Sequence, residues 1–145
     1  MSETSVKSLR AQKTLVILAS FWAALGLTSG IAFRELTRHA EYDSGVLGLT
    51  HGHTLTLGMI LMLIALLLER SMLLSSRKTY LPFLVAWNVG LFLTIITLFG
   101  RGFHSVRGMD IPWVMTLVSG VGHTVLTVGL VLFFVTLFKA LPAQK

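Results

Sequence analysis

Four long apolar runs, separated by short charged segments, constrain this chain more than any other feature. They span about residues 14–33, 46–68, 80–100 and 111–138. Each is about 20 residues or more, enough for a helix to cross a ~30 Å hydrocarbon core. Only 12% of the 145 residues are charged, about half the share in a soluble domain. The runs and their short connections use nearly the whole chain. The expected fold is all-α: one membrane domain, a four-transmembrane-helix up-down bundle. The first run continues straight into Arg34 without a small-residue cleavage site, so no cleaved signal is expected.

The net charge is +6, but its placement argues against nucleic acid. The N-terminus, the connection between runs 2 and 3, and the C-terminus hold eight Lys and Arg against Glu3 and Glu69. The other two connections hold Arg34, Arg38, Arg101 and Arg107 against Glu35, Glu41, Asp43 and Asp110. Lys and Arg gather on the cytoplasmic side of membrane proteins. Both termini are therefore expected in the cytoplasm, with the protein in the plasma or inner membrane and a basic rim facing anionic lipid. There are no cysteines, which excludes disulfides, thiolate metal sites, iron–sulfur clusters and covalently attached heme.

Chemistry is sought where polarity is most costly. Thr50-His51-Gly52-His53-Thr54 opens the second run and puts two imidazoles into it, and His123 lies within the fourth. Ionisable side chains at membrane depth are costly and tend to serve function. Counting ~1.5 Å per residue, His53 lies roughly 10 Å and His123 roughly 18 Å inside the same outer boundary. His39 and His104 sit near that boundary, so all five histidines fall in the outer half. No Asp or Glu is expected deep in a span, which argues against a proton-coupled exporter, and no filter or polar stripe suggests a channel.

Histidines two apart on a helix point about 200° apart, so His51 and His53 cannot both serve one iron. His53 matches His123 in height. His51 shares a face with Gly48 and Gly58, which would leave room for a flat ring. In an up-down bundle helices 2 and 4 are diagonal partners, so inward ligands on them meet across the core. Gly120 lies one turn before His123 on the same face and would also make room. Three buried imidazoles without carboxylates suggest a heme b held by histidines of helices 2 and 4, with its propionates toward Arg34, Arg38, Arg101 and Arg107. The alternatives are copper or zinc on His51, His53 and His123, or a scaffold or accessory subunit whose histidines only pack. Catalysis and the redox partner are left open by the residues.

Smaller features carry packing expectations. Gly26-Leu27-Thr28-Ser29-Gly30 is a small-xxx-small pattern that lets a helix approach closely, within the chain or in a homo-oligomer. Asn88 is expected to hydrogen-bond to a neighbouring helix. Arg34 and Glu35, adjacent in sequence, should each find another partner.

Several stretches carry a resemblance: Ile31-Ala32-Phe33-Arg34-Glu35-Leu36-Thr37, Thr50-His51-Gly52-His53, Leu67-Leu68-Glu69-Arg70, Asn88-Val89-Gly90, Arg101-Gly102 and Ser119-Gly120-Val121-Gly122-His123. Together they resemble a family of small bacterial four-helix membrane proteins of unknown function, over nearly the whole chain. A more distant likeness is to the catalytic subunit of heme–copper oxidases and related heme membrane proteins. It implies heme ligation by one histidine early in a helix and another on the last helix of a four-helix arc. By that likeness a homotrimer of this chain would resemble one such core, with heme between protomers; a homo-oligomer, a dimer or a trimer, is expected.

Overall fold

The structure is a computed structural model that describes residues 3–41 and 45–141; Tyr42 and Asp43 of the expected outer loop lie outside the described residues. All four apolar runs are helices long and apolar enough to cross a membrane, and the described residues contain no strand. Helix α1 is Glu3–Thr37, α2 is Gly45–Met72, α3 is Tyr80–Val106 and α4 is Trp113–Ala140. The first three helices outrun their apolar runs, and α4 is shifted two residues toward the C-terminus. The polar residues ahead of the first run, from Glu3 on, continue α1 as helix; Ser8 and Ala11 are buried there, and Ala11 joins the same core as Leu74 of the connection after α2. Arg101 and His104, expected beyond the third span, lie within α3.

Helix α2 is not uniform. Its middle, Thr54–Ile60, is a π-helix between the α-helical Gly45–His53 and Leu61–Met72. Such i→i+5 stretches are rare and recur at functional sites. One of its carbonyls, that of Leu57, accepts a hydrogen bond from Trp87 Nε1 at 2.9 Å, tying α2 to α3. The far end of α2 stops at Leu73, which is left-handed at φ 53°. Glu69, fully buried, secures the turn that follows: its carboxylate accepts from the Ser75 backbone N–H and hydroxyl, both at 2.7 Å.

Packing follows small residues. In α1, Gly26 makes room for Leu55 and Gly30 for the His51 ring, which is the close approach its spacing anticipates. A Cβ on Gly58 would stand 2.5 Å from Trp22, so that glycine seats the indole. Between α3 and α4 the approach is closer still. A Cβ on Gly90 would lie 2.5 Å from the Leu126 nitrogen, and one on Gly129 2.8 Å from the Trp87 nitrogen. Across α1 and α3, Trp22 Nε1 donates to Asn88 Oδ1 at 2.7 Å. Helix α2 packs on both α1 and α3, whereas α4 packs on α3 and the short Leu74–Ser76 turn. The arrangement is an arc. Among the described residues α4 is seated by its glycines on α3, in place of the expected diagonal packing of helices 2 and 4 across a closed core.

Candidate functional site: the histidine flank of α2, α3 and α4

The site is built on α3, which carries α2 on one side and α4 on the other. Gly102 of α3 sits against Leu47 of α2, and Thr94 of α3 against Gly122 of α4. These two contacts serve as a ruler. His53 is six residues past Leu47, roughly 9 Å down α2; His123 is one past Gly122, which lies eight residues of α3, roughly 12 Å, below Gly102. The two imidazoles are thus about one helical turn apart in level.

Their azimuth follows from neighbours whose contacts are fixed. On α2, Leu47 faces α3, while Gly48 and His51 face α1, against Phe33 and Gly30. At ~100° per residue, His53 is then turned ~120° from the Leu47 face, on the side away from α1. On α4, His123 follows Gly122, so it is turned ~100° from the face packed on α3. Helices α2 and α4 run the same way, and their right-handed sense turns both flanks to one side of α3, the side opposite α1. Arg101 of α3, between Gly102 on the α2 face and Gly90 on the α4 face, looks to that side too. His53 and Arg101 are half-buried and His123 is exposed.

The tautomer of each neutral ring follows from its partner. Nδ1 of His53 lies 2.9 Å from the Leu49 carbonyl, and Nδ1 of His123 lies 2.8 Å from that of Ser119. His104 does the same with Gly100 at 2.9 Å. A carbonyl oxygen only accepts, so in a neutral ring Nδ1 carries the proton and Nε2 keeps its lone pair. That arrangement is typical of a histidine ready to ligate a metal. His51 also bonds through Nδ1, but to Gly26 of α1 at 2.8 Å, which makes it an interhelical clasp.

Two orphaned polar atoms border the same flank. Arg101 Nε and Thr50 Oγ1 are buried without a hydrogen-bond partner. Arg101 has no carboxylate within ion-pair distance among the described residues. A cation with no carboxylate beside it favours an anionic group there. Thr50 lies on α2 between Leu47 and His53 in the run of residues along this flank. No feature of spacing singles it out; only its unsatisfied hydroxyl does.

Other expected site residues lie elsewhere. The room anticipated around His51 at Gly48 and Gly58 is filled by Phe33 and Trp22, since that face of α2 is the one packed on α1. Arg34 is exposed on α1, 3.9 Å from Glu35, and Glu35 also meets Arg38 at 3.4 Å. The two adjacent residues therefore do pair, loosely and in the open, and neither reaches the histidine flank. Gly120, by contrast, has nothing within 4 Å of where a Cβ would stand. It lines a shallow groove of about 760 Å³ with Trp113, Thr116 and Thr124 of α4. Among the described residues no group of three or more His, Asp or Glu is close enough to hold a metal ion, so His51, His53 and His123 do not converge.

The comparisons with known proteins add a family. The description "protein of unknown function (DUF2871)" matches residues 12–140. The chain belongs to that family. No curated protein and no solved structure matches the DUF2871 chain, so the likeness to heme–copper oxidases gains nothing from them.

Proposed function

We propose that this DUF2871 protein is a membrane b-type heme protein for electron transfer or for binding a small gas such as O₂ or NO. The observation that carries the reading is the placement of His53 and His123, about one helical turn apart in level and each with Nδ1 committed to a carbonyl of its own helix. The donor set fits the group. Neutral imidazole nitrogens suit heme iron, Arg101 and Thr50 offer unsatisfied donors to its carboxylates, and Gly120 leaves space beside His123. A heme held by these residues would supply an iron that changes oxidation state and, were only one of the two histidines bound to it, could take a gas. The protein's own part is to hold two imidazoles apart, offer a cation toward the outer end and exclude water with apolar walls.

The exposed His123 and the uncovered α4 groove favour a homo-oligomer, a dimer or trimer, in which another copy covers that face. The charge distribution supports the plasma or inner membrane with both termini cytoplasmic. A second reading, a scaffold whose histidines only pack, draws on the His51–Gly26 clasp.

An optical spectrum of the detergent-purified protein, with metal analysis of the same sample, separates the readings. Heme predicts a Soret band lost in His53→Ala and in His123→Ala but kept in His51→Ala. Stoichiometric copper or zinc without pigment would support the bare-metal alternative. Neither pigment nor metal, with only stability lost on substitution, would leave the scaffold.

A further inference from the structure

At the end of the molecule opposite the histidines, we infer a binding site for one anionic phospholipid, in a groove between α1 and α2. The groove encloses about 490 Å³ and is walled by Leu9, Val16, Ile17 and Leu66, with Lys13 and Arg70 at its rim. Its apolar wall is open to the bilayer: Leu9 is 44% and Ile17 67% exposed.

The rim is more basic than the sequence suggests. Glu69 and Arg70 are neighbours and look like a neutral pair. The fold separates them. Glu69 turns inward, is fully buried and has its carboxylate occupied by Ser75. Arg70 turns outward to the groove, and it stands there with Lys13. Neither cation has a carboxylate within ion-pair distance among the described residues, whose ion pairs are Lys7–Glu3, Arg34–Glu35 and Arg38–Glu35. Two uncompensated cations above an apolar furrow on a membrane-crossing helix pair complement a phosphate headgroup with an acyl chain beneath it. A zwitterionic headgroup, whose own ammonium would meet Lys13 and Arg70, fits less well. The site is independent of any heme.

Native mass spectrometry of the full chain, released from nanodiscs holding equal phosphatidylglycerol and phosphatidylcholine, tests this. The wild type is expected to retain phosphatidylglycerol at one per chain. Lys13→Gln with Arg70→Gln should weaken that retention by about thirtyfold, from the usual contribution of a basic residue near an anionic surface. Lys7→Gln with Arg77→Gln, an equal loss of charge elsewhere at the same end, should leave it unchanged. Ile17→Trp, which fills the furrow and keeps both cations, should also weaken it. Equal retention by the Lys13/Arg70 variant overturns the site, as does equal loss in the Lys7/Arg77 variant. Displacement of the lipid by inorganic phosphate overturns the acyl-chain half. Circular dichroism of each variant confirms that the helices persist.

Discussion

Gly90 and Gly120 are the same residue type in neighbouring helices, yet they answer to different constraints. A Cβ on Gly90 would meet the backbone of Leu126, which cannot swing aside. Gly90→Ala should therefore destabilise the protein by about 1–3 kcal/mol, as overpacking does. Gly120→Ala adds a methyl to open space and should stay within about 0.5 kcal/mol of wild type. Reversible unfolding in micelles measures both, and equal costs would refute the packing given for α3 and α4. The Trp22–Asn88 bond, 2.7 Å long between α1 and α3, invites a double-mutant cycle with Trp22→Phe and Asn88→Leu. Its coupling should fall near the range of about 0.6–1.7 kcal/mol measured for polar contacts between membrane helices. A coupling of zero would mean that the two side chains do not hold α1 to α3.

At the scale of the element, α2 is set by its π-helical middle. Residues before Thr54 place Leu47 and His51 on their partners; residues after Ile60 place Met62, Ala65 and Glu69, all fully buried. The π stretch joins two α-helical phases that would otherwise be out of register. Deleting Thr56, which is exposed, should turn one half of α2 by about 100° against the other. The Glu69 carboxylate would then leave Ser75, and Gly58 would leave Trp22. The expected result is failure to accumulate as folded protein, while Thr56→Ala behaves as wild type; size-exclusion profiles of a fluorescent fusion read both. A deletion variant as stable as wild type would show that the π segment is not needed for register.

For the whole molecule, four antiparallel helices put both termini at one end and the histidines toward the other. With the basic residues at the terminal end, both termini should face the cytoplasm. Green fluorescent protein fused at either terminus should fluoresce, and alkaline phosphatase inserted at Gly108, a turn glycine at φ 62°, should be active. The opposite pattern would invert the topology. The arc also has an open side. Helix α4 is held by α3 and leaves large apolar side chains such as Trp113 and Phe138 more than 70% exposed, which suits a chain surrounded by lipid or by further copies.

How much could be read from the residues varies with the range of the interaction. Helix number, approximate limits, the Gly26–Gly30 close approach and an interhelical role for Asn88 follow from hydropathy, length and spacing, because each depends on the bilayer or on local geometry. Azimuth is a different matter. Which face of α2 meets α1, and hence that His51 clasps Gly26 while His53 turns the other way, depends on how Trp22, Phe33 and Leu55 fill the gaps above glycines. The separation of Glu69 from Arg70 depends in the same way on the turn at Leu73 and on Ser75, and the arc in place of a closed bundle on the glycines between α3 and α4. Hydropathy sees how apolar a segment is but not which neighbour it fits; that fit is decided only when the side chains of several helices are packed together.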